Sequence, residues 1–342
     1  MEKWKRSGSA LLIAIAIAGC ASNGNDVTTQ TATTPEETTA TATVNETAPA
    51  TPPIAIDPNN PLLAEWTGPY GGVPPFDQIK VEHFKPALET AMAENLAEVE
   101  RIANDPAAPT FQNTIAAMEN TARRLDRVGT AYGIWSSTMN GPEFQAVERE
   151  MAPKLAAFSD QITGNAKLFR RIEAVYNSPQ KSSWTPEQQR LAWIYYTNFV
   201  RAGARLDDTA KKRLSEINQE LANHFTTFSQ NVLADETDQF LVIDNESDLA
   251  GLPQSLRDAA SSAATAKGHP GKWVISNTRS SVDPFLTYSA RRDLREKAWR
   301  MFVDRGDMGG QTDNNTTITN ILRLRAERAK LLGYPTHAHW RL

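Results

Sequence analysis

The sequence is poor in the two residue types that do most metal and nucleophile chemistry, with one cysteine and five histidines among 342 residues. A single cysteine, Cys20, cannot close an internal disulfide, so it is either spare or modified. A zinc-protease helix needs two histidines four apart, with a glutamate after the first to act as base. None of His83, His224, His269, His337 and His339 stands four from another, and none is followed by glutamate. His337-Ala338-His339 is a close pair, but positions two apart on a helix leave on opposite sides, which disfavours a shared metal. His224 lies beside an apolar stripe and reads as a packed side chain. No Gly-x-Ser-x-Gly elbow occurs. Gly71-Gly72 and Gly309-Gly310 lack the Lys-Ser/Thr that would follow in a phosphate loop. These absences leave no catalytic and no metal-ligating residue to nominate.

Charge of one sign is missing as well. Lysine and arginine number 36 against 40 aspartates and glutamates. Nucleic acid binding needs a concentrated basic face, so no nucleic acid partner is expected. The basic clusters Lys211-Lys212-Arg213 and Arg291-Arg292 alternate with acids at helical spacing and read as solvated helix faces. Trp135, Trp184 and Trp193 fall inside helical patterns, where core packing is the default.

What is present begins with an export signal. Lys3, Lys5 and Arg6 precede the apolar run Ala10 to Ile17, too short to span a bilayer stably but right for a signal-peptide core. The run ends in Ile17-Ala18-Gly19-Cys20, which resembles the bacterial lipobox. Residues 1–19 are therefore expected to be a lipoprotein signal peptide, and Cys20 the lipid attachment site. Acyl chains contribute about 0.8 kcal/mol per buried methylene, so several make a stable anchor. Ala21 is not the aspartate typical of inner-membrane retention, which points to the outer membrane, facing the periplasm. The stretch 20–57 is rich in Thr, Ala and Pro and has almost no large apolar side chains. It cannot offset the entropy of ordering and is expected to be a disordered tether.

From 58 to 342 helical periodicity dominates. Apolar residues recur at threes and fours over 84–104, 110–138, 142–176 and 185–202. The clearest stripe is Leu214, Ile217, Leu221, Phe225, Phe228 and Val232, with Asp207 or Asp208 as N-cap. Phe240–Ile243 and Trp273–Ile275 are β-prone, with a helix near 255–266 between them. Further helices are expected near 289–304 and 314–332, the last closed by Gly333 and Pro335. Apolar positions cover more than one face of that last helix, so one face is expected to stay uncovered. The fold class is mainly α with a small β element.

Several phrases then resemble the thimet oligopeptidase/neurolysin family of zinc metallopeptidases, closest to its bacterial peptidyl-dipeptidase (dipeptidyl carboxypeptidase) branch. They are Asn60-Pro61-Leu62-Leu63, Pro75-Phe76-Asp77-Gln78-Ile79, His83-Phe84-Lys85-Pro86-Ala87 and Thr110-Phe111-Gln112-Asn113-Thr114-Ile115. Phe199-Val200-Arg201-Ala202-Gly203-Ala204, Phe228-Ser229-Gln230-Asn231, Leu249-Ala250-Gly251-Leu252-Pro253 and Leu322 to Tyr334 come next, in family order. The resemblance implies a neurolysin-like helical N-terminal portion of an enzyme that hydrolyses short peptides. It also implies one zinc, held in the family's other half by an H-E-x-x-H helix and a downstream glutamate. No position here matches those residues. The expectation is a chain that is cut before the zinc motif, binds no zinc itself, is inactive alone, and has a missing C-terminal half as partner. The alternative is a non-catalytic, lipid-anchored helical lipoprotein that binds peptides or a protein.

Overall fold

The computed structural model describes residues 56–69 and 72–342. The expected signal peptide, Cys20 and the tether as far as residue 55 lie outside the described residues. The helices in the first half are α1 (Val81–Ala103), a π-helical turn (Phe111–Ala116) running into α2 (Ala117–Glu119), α3 (Arg123–Thr138), α4 (Pro142–Thr163), α5 (Ala166–Tyr176) and α6 (Pro186–Arg201). Then come α7 (Asp208–Asp238), α8 (Gln254–Ala266), α9 (Arg279–Tyr288), α10 (Arg292–Val303), α11 (Asn315–Leu331) and α12 (His337–Arg341). Strands β1 (Phe240–Ile243) and β2 (Trp273–Ser276) pair antiparallel, with Phe240 opposite Ser276 and Ile243 opposite Trp273. The fold is mainly α with one small sheet, as the periodicity implies.

Two expected helices are each divided. The run 110–138 breaks before α3, where Ala122 takes a left-handed φ of 62° and its N–H donates to Glu98 Oε2 at 2.8 Å. The run 142–176 breaks at Gly164-Asn165, where Asn165 Oδ1 accepts from Lys167 N and Leu168 N at 3.0 Å and starts α5 afresh. The apolar period continues across both breaks, so hydrophobicity alone does not reveal them. No element is predicted over 279–288, yet α9 forms there because Val282 and Phe285, three apart, are buried on one face.

The chain divides into two compact units. The first takes the residues through Ile134 with Arg170–Tyr195; the second takes Trp135–Phe169 with Tyr196–Leu342. In the first, buried Asn60 fixes the opening segment: its Nδ2 donates to His83 O and its Oδ1 accepts from Leu62 N, both at 3.0 Å. Leu62 and Leu63 are thereby carried into the core. Arg171, with its side chain 8% exposed, donates to Asp105 O at 2.7 Å and Ala107 O at 2.9 Å. It also pairs with Asp105 Oδ2 at 3.2 Å.

In the second unit, α7 is the longest element. Asp207 Oδ1 accepts from Ala210 N at 2.8 Å and caps it. Leu214, Ile217 and Leu221 are buried, and Ile217 and Leu221 pack with Ile321 and Leu324 of α11. Each such side chain removed from water stabilises by about 1.5–3 kcal/mol. The stripe outruns its cover: Phe225 is half-buried, and Phe228 is 36% exposed. On α11, Ile318 and Leu322 are 39% and 59% exposed, so one apolar face is uncovered. Gly333 N donates to Lys330 O and Tyr334 N to Ala329 O, the paired bonds that end a helix at glycine.

A separate core of Ile243, Leu249, Leu252, Ile275, Val282, Phe285, Leu294 and Ala298 holds the sheet against α8, α9 and α10. It closes at Gly251, which has φ of +88° and lies where a Cβ would sit 2.2 Å from Tyr288 O. The adjacent Ala290 N donates to Ala250 O at 2.8 Å. Gly251→Ala is expected to lower stability by about 2 kcal/mol or more, from left-handed strain and the clash with a carbonyl together. Urea unfolding of the chain measures this; an unchanged midpoint would contradict the close approach.

Candidate functional site

The histidines are dispersed. His83 Nδ1 accepts from Lys80 N at 3.1 Å and helps start α1. His224 is half-buried on α7, and His269 sets its ring edge to Phe240 at 5.6 Å. His337 and His339 share α12 but face different partners: His337 packs on Trp340, and His339 Nδ1 meets Thr336 Oγ1 at 2.7 Å. Among the described residues no three of His, Cys, Asp and Glu come together to hold a metal. The described residues thus offer no such group for the zinc that the resemblance implies.

The second unit instead concentrates polar groups at the joints of α7. Asp235, 3% exposed, accepts from Gly306 N at 2.7 Å through Oδ2 and from Thr312 Oγ1 at 2.7 Å through Oδ1. Gly306 takes φ of +76°, and a Cβ there would lie 2.8 Å from Asn314 Nδ2. Asn314 is fully buried and bridges Asn231 and the carbonyl of Phe228. Glu148 on α4 accepts from Ser136 Oγ, Asn140 Nδ2 and Gln230 Nε2. The Asp235 and Asn314 bonds fix the segment between α10 and α11, and with it the position of α11. The Lys211-Lys212-Arg213 cluster is a helix face as expected, with Arg213 pairing with Glu216, Glu220 and Glu327.

Past that segment, cations gather with little to balance them. Arg328 Nη1 donates to Asn218 Oδ1 at 3.0 Å, and Asn218 Nδ2 donates to Asp160 Oδ1 at 2.8 Å. The amide thus stands between the two charges. Burial first, then Arg325 and Arg341, push the Arg328 guanidinium down to about 10, with Asp160 opposing. Burial pushes the Asp160 carboxyl up, against the pull of Asn218 and Arg328. Trp340 lies among these groups. Its Nε1 donates to Arg201 O at 3.0 Å, Arg201 donates back to Trp340 O, and the Arg328 and Arg341 guanidinium carbons lie 4.5 and 5.4 Å from its ring centre. Arg325 rests over Phe225 at 5.1 Å.

This cluster is not nominated by motif reading, although a signal for it exists. Arg323 has Glu327 four residues on, whereas neither Arg325 nor Arg328 has an acid three or four positions away.

Residues 285–342 match peptidase family M3. Over 283 residues the chain is 32% identical to a dipeptidyl carboxypeptidase of Salmonella typhimurium, covering 83% of this chain and 42% of that protein. It is 31% identical to oligopeptidase A of Haemophilus influenzae, covering 82% of this chain and 40% of that one. Against the organellar oligopeptidase A of Arabidopsis thaliana it is 30% identical over 287 residues, covering 82% of this chain and 35% of that one. The chain spans about two fifths of the length of the bacterial relatives. It is thus homologous, over a partial length, to members of peptidase family M3, the relationship that the ordered phrases imply.

The cluster makes stability depend on pH in a definite sense. Burial, then Arg325, Arg328 and Arg341, hold His337 below the usual histidine range. With the folded value lowered, the unfolded chain takes up a proton first, so stability falls as pH drops through the histidine range and is regained as pH rises. His337→Gln removes that contribution. The variant's melting temperature is expected to change less between pH 7.5 and pH 5.5 than the parent's. Equal changes would show that His337 does not feel the arginines.

Proposed function

We propose that this chain is the N-terminal helical portion of a zinc metallopeptidase that hydrolyses short peptides, releasing dipeptides from their C-termini. The observation that carries the reading is the 32% identity over 283 residues to proteins named dipeptidyl carboxypeptidase. In the complete enzyme the zinc, its ligands and the water-activating glutamate would be supplied by residues other than these 342, since the sequence holds no H-E-x-x-H. The chain's own part is to build wall and support for a peptide channel, and alone it is inactive. The exposed Ile318 and Leu322 are apolar positions that the rest of such an enzyme would cover.

The purified chain is expected to release no dipeptide from a blocked tripeptide in a chelator-sensitive manner. Co-expressed with the C-terminal portion of the Salmonella typhimurium relative, it is expected to restore chelator-sensitive release. Activity of the chain alone would overturn the inactive reading. Failure of complementation by a soluble, associated pair would overturn the assignment as an enzyme portion.

The same proposal includes the anchor. It rests on Ile17-Ala18-Gly19-Cys20 after an apolar run, and it locates the enzyme at the outer membrane facing the periplasm. In a Gram-negative host, labelled palmitate is expected in the parent and absent from Cys20→Ala. A parent that takes up no label would end the lipoprotein reading.

A further inference from the structure

We propose that the arginine-rich surface formed by the C-terminal half of α11 and by α12 is a binding site for a carboxylate carried on an apolar skeleton. Arg325, Arg328 and Arg341 supply the guanidinium groups, and Trp340 supplies the wall. The site lies wholly within the second unit.

The argument starts from charge. Among the described residues none of Arg325, Arg328 and Arg341 forms an ion pair with a carboxylate, although Arg213 and Arg323 nearby both reach Glu327. His337 adds a further titratable base to the same neighbourhood. Asp160 is the acidic group that offsets Arg328, and it reaches Arg328 only through the Asn218 amide. Like charges kept this close in partly buried surroundings destabilise the fold unless an anion is shared among them. Arg325 Nε, Arg328 Nε and His337 Nδ1 are buried without an acceptor, which adds to that cost.

Access and shape narrow the ligand. Arg341 is exposed, and Arg325, His337 and Trp340 are half-buried, so the cluster is reached from solvent. Guanidinium groups present flat forks that match a planar carboxylate in two parallel hydrogen bonds. The indole of Trp340 and the ring of Phe225 lie directly beside those forks, within 4.5–5.4 Å of their central carbons. Such walls favour a ligand with carbon next to its charge over a bare inorganic ion. Free organic acids and acidic peptides both carry this chemistry.

The test uses the full chain and calorimetric titration at fixed ionic strength. The probes are phenylacetate for a free acid, the blocked peptide acetyl-Glu-Phe-Glu-amide for an acidic peptide, and inorganic phosphate. Saturable binding of phenylacetate, of the peptide or of both is expected, with phosphate weaker by about tenfold or more. The better organic probe identifies the source. Arg341→Gln, Arg341→Lys and Arg325→Gln are each expected to weaken that probe by about tenfold, the lysine variant because it keeps the charge but loses the fork. Arg213→Gln, on a separate ion-pair network, should leave it unchanged. Arg341 is exposed, so its variants keep the fold, and a melting curve on each sample verifies this. The site is overturned if neither organic probe binds saturably, if phosphate matches them, or if the Arg341 variants bind as the parent does.

Discussion

Asp235 is the contact on which the second unit turns. It sits near the end of α7 with both carboxylate oxygens occupied, one by the Gly306 backbone and one by the Thr312 hydroxyl. Its own carbonyl accepts from buried Asn277, just beyond β2. One residue thus ties the long helix to the sheet and to the segment between α10 and α11. Each buried donor left without its acceptor would cost about 1–3 kcal/mol, so these bonds are hard to exchange. The rest of this unit depends on them. Asn314 closes the segment, α11 starts next to it, and only then do Ile321 and Leu324 fall onto Ile217 and Leu221. Arg325 and Arg328 are carried by the same helix, so the cation cluster inherits its position from a carboxylate far from it in sequence.

The phrases that carry the family resemblance gain a physical meaning in this light. Asn60 holds the opening segment to α1. Thr110 and Asn113 cap the π-helical turn reciprocally. Gln230 reaches Glu148 and the Gln145 carbonyl, and Asn231 reaches Asn314. Gly251 permits a contact that no side chain would allow. These are places where backbone or buried polar groups must be satisfied in one geometry, and few residue types can do so. The resemblance therefore reports on construction, whereas the chemistry of a hydrolase would rest on other residues.

Much of this architecture is legible in the amino-acid order because helices that bury one face repeat their apolar residues at 3.6. α7 is the clear instance, down to its Asp207 cap. The breaks are illegible for an equally physical reason. Ala122 accepts an unfavourable φ because Glu98, from another helix, holds its N–H, and nothing local to 120–122 announces that partner. α9 is short and rich in serine and threonine, and its helical state comes from burying Val282 and Phe285 in a core assembled from distant elements. The cation cluster is half legible. The absence of acids at helical spacing from Arg325 and Arg328 can be read directly, but their meeting with Arg341, Trp340 and Asp160 requires the fold.

The length of α7 has one more consequence. At 31 residues it extends roughly 46 Å, and its two ends are held by different forces. The first half, around Ile217 and Leu221, adds apolar contact, whose strength fades on cooling, to the bonds of Arg213 and Asn218. The second half, around Gln230, Asn231 and Asp235, is gripped by buried hydrogen bonds, which are enthalpic and do not share that trend. A single rigid rod therefore joins two clasps with different thermal coefficients.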